Sequence, residues 1–194
     1  NSWNNSIVDY SIKMGDGSSA ASAYDENGNI KQMQQWGLKL SGSSQIDNLS
    51  YNYGSTGLTN KLLKVTDSNN DPDTKLGDFK DGSNADDDYS YDVNGNLILD
   101  KNKNISSISY NHLNLPGQIT VTGKGDITYT YDAAGNKLKK VTVDNTVTPS
   151  ATTTTLYLGG AVYENDELQF TGHEEGRVRP VRDGSNNITS FAYD

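Results

Sequence analysis

The chain has 194 residues, of which 32% are hydrophobic, with a mean hydropathy of −0.74 and a net charge of −9. The acidic balance excludes nucleic acid and anionic membrane surfaces as partners, since both need clustered Lys and Arg. The absence of cysteine excludes disulfides, thiolate metal sites and a Cys nucleophile.

Twelve tyrosines nonetheless mark a folded chain, built from thin core layers rather than one thick core. No apolar run approaches the roughly 20 residues that span a bilayer, so no membrane insertion is expected. Residue 1 is Asn rather than Met, and the opening residues do not spell a signal peptide. It stops on "FAYD", which opens a further Tyr-Asp pair with no turn after it. Both ends are expected to be cut from a longer protein.

In chain order, the first clear signature is "YDENGNI" at Tyr24–Ile30. "QQWGLKL" follows as a strand with Trp36, Leu38 and Leu40 on one face. Trp36 and Trp3 read as packing residues rather than ligand platforms. Tyr51 and Tyr53, in "LSYNYGSTGLTNKLL", mark a further unit of the same kind.

Residues 66–88, "TDSNNDPDTKLGDFKDGSNADDD", form an acidic Pro/Gly/Asn-rich insert. Asp67, Asn69, Asp71, Asp73 and Asp78 fit the first, third, fifth, seventh and twelfth places of a calcium-loop frame. Pro72 stands where that frame needs Gly, Lys75 fills the ninth place, and Asp replaces the closing Glu. The reading is a solvated acidic loop, and no metal or cofactor is assigned.

"YDVNGNL" at Tyr91–Leu97 and "YDAAGNKL" at Tyr131–Leu138 repeat the first signature. Asn-Gly alone suggests a type I′ turn, but Ala134-Gly135 does not fit, since Ala disfavours positive φ. The shared spelling is Asp-x-x-Gly-Asn, which predicts a type I turn closed by a left-handed Gly in a bulge. Gly28, Gly95 and Gly135 should therefore have positive φ. Each opening Tyr should pack beside the next aliphatic residue: Ile30, Leu97 and Leu138.

Tyr91 and Tyr131 are 40 residues apart, and Tyr110 of "YNHLNLPGQI" divides that interval into steps of 19 and 21. The unit is thus about twenty residues, at the short end of solenoid periods. Between the turns, Ile119/Val121, Ile127/Tyr129/Tyr131 and Val141/Val143 alternate with Thr, the period of half-buried strands. No apolar series has helical spacing.

After Tyr131 the spelling loosens. "TVTPSATTTT" at Thr146–Thr155 reads as a loose connector or hairpin tip. His112 lies in a turn and His173 in a loop, and neither has the partners that catalysis or metal binding needs. Arg177 and Arg179 share a strand face in "GRVRPVR", near Arg182, and are expected to pair with acidic neighbours. The many carboxylates sit at turn positions with structural reasons to be there, so a glycosidase has no support.

The run "YDVNGNL…ISYNHLNLPGQITV…ITYTYDAAGNKLKKV" resembles the YD-repeat or Rhs (rearrangement hotspot) family. "LYLGGAVYENDELQF…GRVRPV" resembles the segment that follows those repeats in Bacteroidetes-like Rhs proteins. The resemblance implies an all-β fold of consecutive hairpins in a long, curved, spiralling antiparallel sheet, part of a shell. Residues 1–145 would be the repeat region, with the insert at 66–88. Residues 146–194 would continue it toward a core-terminal motif that lies outside the sequence.

The implied role is a non-catalytic scaffold, secreted or on a bacterial surface, that encloses a C-terminal toxin. A cell-surface adhesion or ligand-binding module is the alternative. Partners would be the rest of the shell or other chains at exposed strand edges, and the enclosed toxin.

Overall fold

The computed structural model describes residues 9–39, 42–54, 59–69, 77–82 and 85–194. Trp3, Leu40, Asp71, Pro72, Asp73 and Lys75 lie outside them. The fold is all-β and antiparallel, as expected. Among the described residues, the one helical element is a short 3-10 turn at Ala20–Ser22.

The chain forms two compact units, residues 1–102 and 103–194. In the first, β1 (Ile12–Met14), β2 (Gln32–Lys39), β3 (Gly42–Asn52) and β4 (Lys64–Asp67) form a sheet in chain order. The hairpin of β5 (Tyr89–Tyr91) and β6 (Leu97–Asp100) follows. The second unit continues with β7 (Ile105–Tyr110), β8 (Pro116–Val121), β9 (Gly125–Tyr131), β10 (Lys137–Asp144) and β11 (Ala151–Leu158). It ends with β12 (Ala161–Glu164), β13 (Glu167–His173), β14 (Gly176–Arg182) and β15 (Ile188–Tyr193). Each of these nine strands pairs with its neighbour in sequence.

Short connections explain this order, because a strand that ends in a tight turn has only its predecessor within reach. The division expected at 145/146 falls in the β10–β11 hairpin, whose strands pair from Lys139↔Leu156 to Asp144↔Ala151. The expected loose connector at Thr146–Thr155 is thus corrected to a tip at 145–150. Its Thr run is strand, since β-branched residues suit a pleated surface. His173 closes β13 rather than lying in a loop.

The fully buried apolar side chains among the described residues are Ala23, Ile46, Leu49 and Val65, all in the first unit. A bulge helps to build this core. Gln35 faces Asp47 and Trp36 faces Gln45, so Ile46 has no partner across the ladder. Ile46 and Asp47 are adjacent yet each only 1% exposed, whereas a regular strand would send them to opposite faces. Gly37 is fitted closely to this core: a Cβ there would lie 2.7 Å from Ile46 Cδ1.

In the second unit the expected alternation appears in β9, where Ile127, Tyr129 and Tyr131 are half-buried and Thr128 and Thr130 exposed. No apolar side chain there is fully buried among the described residues.

Candidate functional site

The Tyr-Asp turns have the predicted chemistry. Gly28, Gly95 and Gly135 have φ of 83°, 87° and 87°. In the second copy, Asp92 N–H donates to Asn96 O at 2.9 Å and Gly95 N–H to Asp92 O at 3.1 Å. The Asp92 carboxylate accepts Asn94 N–H at 2.9 Å and Asn96 N–H at 2.8 Å on Oδ1, and Asn96 Nδ2 at 2.9 Å on Oδ2. Asp25 and Asp132 repeat these bonds within 0.1 Å. These three copies thus share Asp, a left-handed Gly and Asn, with a free middle.

Two further turns have this geometry under other spellings. Asn111 takes the Asp role, accepting Leu113 N–H at 2.9 Å and Leu115 N–H at 3.0 Å, with Asn114 at φ 57° in the Gly place. Asp183 accepts Ser185 N–H and Asn187 N–H, both at 2.9 Å, with Asn186 at φ 68°. Asn tolerates the left-handed region better than most residues, which signals these copies.

Register shifts of one residue sit at Tyr91, Tyr110 and Arg182, and between Lys137 and Lys139, the bulges the turn type requires. Hydrogen bonds from Asn96 and Asn136 side chains hold the Asp92 and Asp132 carboxyls below the usual carboxylate range. At Asp183 the backbone N–H of Asn187 has the main part.

Tyr24 bridges Ile30 and Tyr91 pairs with Leu97, as expected. Tyr131 pairs with Lys137 rather than Leu138, because the bulge aligns the residue directly after Asn136. The Lys137 ammonium lies 4.5 Å from the Tyr129 ring centroid and 5.8 Å from that of Tyr157, a cation–π contact in place of an aliphatic one. Tyr51 and Tyr53 line one groove with Tyr24, Asp25 and Lys31. Tyr51 lies within β3, and Asn52 Oδ1 accepts Gly54 N–H at 2.8 Å, a smaller turn than the Tyr-Asp type.

The acidic insert departs from the solvated-loop reading. Asp67 ends β4 and is 6% exposed, and Asp88 is 0% exposed. Along the outer edge of β4, Val65 N–H donates to Asp88 Oδ2 at 2.9 Å and Asp67 N–H to Asp81 Oδ2 at 3.1 Å. Carboxylates thus satisfy the amides that a further strand would otherwise take.

Nearby, Asp47, Asp67 and Asp78 each offer a carboxylate oxygen, and these lie within 4.8 Å of one another. Asp67 Oδ1 accepts Asn48 N–H at 2.8 Å and Asn69 N–H at 2.9 Å. Asp47 Oδ1 accepts Phe79 N–H at 2.7 Å. The Asn69 amide donates to Gln45 O, and Lys80 pairs with Asp78 Oδ2. Burial raises the Asp47 carboxyl above the usual range, and the charges of Asp67 and Asp78 add to this. The calcium-loop frame had joined Asp67 to Asp78 but missed Asp47, which arrives from a separate strand.

The other candidates remain apart. His112 is exposed within its turn. His173 is exposed, its Nδ1 accepting Glu175 N–H at 3.3 Å and its ring edge-on to Tyr193. Arg177 and Arg179 both pair with Asp194, at 3.2 and 2.8 Å, the acidic-neighbour arrangement expected. Arg182 instead donates to the Asn186 and Leu168 carbonyls. Trp36 is half-buried with the Lys13 ammonium 4.7 Å from its ring centroid. No helix among the described residues is long and apolar enough to cross a membrane. Compared with known proteins, the chain matches no family model and no curated protein.

Proposed function

We propose that the chain is a wall segment of a YD-repeat shell: a non-catalytic β scaffold of a large exported bacterial protein that encloses a C-terminal toxin. The observation that carries this reading is the recurrence of one turn. Five hairpins close on the same hydrogen-bond scheme, centred on Asp25, Asp92, Asn111, Asp132 and Asp183. A catalytic protein has no need to repeat a turn; a wall that grows by adding hairpins does. Neighbouring strands in each unit follow chain order, so each added hairpin extends the sheet by the same operation. The thin apolar layer also suits a wall, where neighbours rather than a central core complete each unit.

Electron cryo-microscopy of the full-length gene product tests the proposal. The expected result is a hollow shell wound from hairpins, with a protease-protected domain inside. An open sheet with a freely digested C-terminal domain would overturn it.

A further inference from the structure

We propose that Asp47, Asp67 and Asp78 form a calcium site at the bulge of β3. This inference is independent of the shell reading. The three carboxylate oxygens lie within 4.8 Å of one another. Oxygens that ligate one Ca²⁺ ion, each about 2.4 Å from it, can be at most about 4.8 Å apart. The cluster therefore falls within the span of one ion's ligand shell.

Two of the three residues also carry a buried carboxylate oxygen with no partner among the described residues. Asp67 is more than nine-tenths buried, and its Oδ2 meets no donor, while its Oδ1 is held by the two backbone N–H groups of Asn48 and Asn69. The Asp78 side chain is 0% exposed, and its Oδ1 likewise meets no donor. A buried carboxylate oxygen with no partner is costly, and native folds rarely keep one unless an ion or another group answers it. Here two residues of one cluster each carry such an oxygen.

The surroundings orient the ligands. Hydrogen bonds from Asn48, Asn69 and Phe79 fix Asp67 and Asp47, as outer partners do in metal sites. Lys80 supplies one positive charge at Asp78, but its side chain is 47% exposed and can leave toward solvent. Three carboxylates against one ammonium leave an excess of negative charge for a divalent ion. An all-oxygen set selects a hard cation, and the irregular arrangement on strand, strand end and loop suits Ca²⁺ better than the strict octahedron of Mg²⁺.

Calorimetry of the metal-stripped chain with CaCl₂, paired with thermal melting in EDTA and in Ca²⁺, tests the site. One equivalent of Ca²⁺ should bind, and the melting midpoint should rise by about 5 °C at saturating ion. Asp78→Asn, whose side chain holds no backbone amide, should weaken binding by at least about tenfold. Lys80→Ala removes the competing ammonium and should tighten binding. Asp183→Asn, in the second unit, should bind like the parent chain. The site is overturned by absence of binding at millimolar Ca²⁺, or by equal affinity in Asp78→Asn. It is also overturned by unchanged or weaker binding in Lys80→Ala, or by stabilisation that follows acid alone and ignores Ca²⁺.

Discussion

The two units have the same strand grammar but different interiors. The first buries Ile46, Leu49 and Val65 together with Asp47, Asp67, Asp88 and Asp100. The second has no fully buried apolar side chain among its described residues, and Thr155 is its buried polar one. An apolar layer and a set of buried carboxylates thus occur together, in the unit with the bulge and the acidic insert. The second unit shows that ladders and well-bonded turns can order a sheet with half-buried side chains alone.

The largest expected effect tests whether the first unit depends on its core. Ile46→Ala should cost about 2–5 kcal/mol in denaturant unfolding, as for other buried large-to-small changes. Ile127→Ala in the second unit should cost only about 1 kcal/mol. Equal costs would break the comparison. The second unit should instead be sensitive in its backbone. Gly125 has φ 130°, and a Cβ there would lie 1.9 Å from Val143 O. Gly125→Ala should cost about 3 kcal/mol and raise hydrogen exchange along the β9–β10 ladder. Gly135→Ala, in the left-handed place of its turn with no such close backbone contact, should cost about 1–2 kcal/mol.

The smallest effect is a difference in acid response, measured in EDTA by hydrogen exchange in each unit. Asp132 and Asp183 have folded-state pKa values below those of the unfolded chain. Their contribution is present above the unfolded carboxylate value, about pH 4, and is lost as pH falls further through the folded values. Asp47 has the opposite sign, its folded value being raised. Its charge destabilises the fold at neutral pH, and that penalty is relieved as pH falls through the raised folded value toward about pH 4. Asp25 and Asp92 add losses of the turn type to the first unit. Acid should therefore first relieve and then weaken the first unit, but only weaken the second. A single common profile would remove the distinction.

Local chemistry made much of this fold legible. The alternation of Tyr, Ile and Val with Thr marked the strands, and Asp-x-x-Gly-Asn marked three turns with the correct backbone sign. The copy at Asp183 was harder to see because its spelling, "DGSNN", puts Gly184 in a free position and gives the left-handed place to Asn186. The carboxylate cluster was hidden for another reason. Asp67 and Asp78 fitted the ends of a calcium-loop frame that Pro72, Lys75 and the closing Asp spoil, so the stretch read as a solvated loop. Only the ladder, with its bulge at Ile46, brings Asp47 to them.

The edge of β4 has a last consequence. Its outward amides at Val65 and Asp67 are occupied by Asp88 and Asp81, so that side cannot template an incoming strand. A strand arriving at that edge of the four-stranded sheet, whether in useful assembly or in cross-β aggregation, meets carboxylates already seated on the amides it would need.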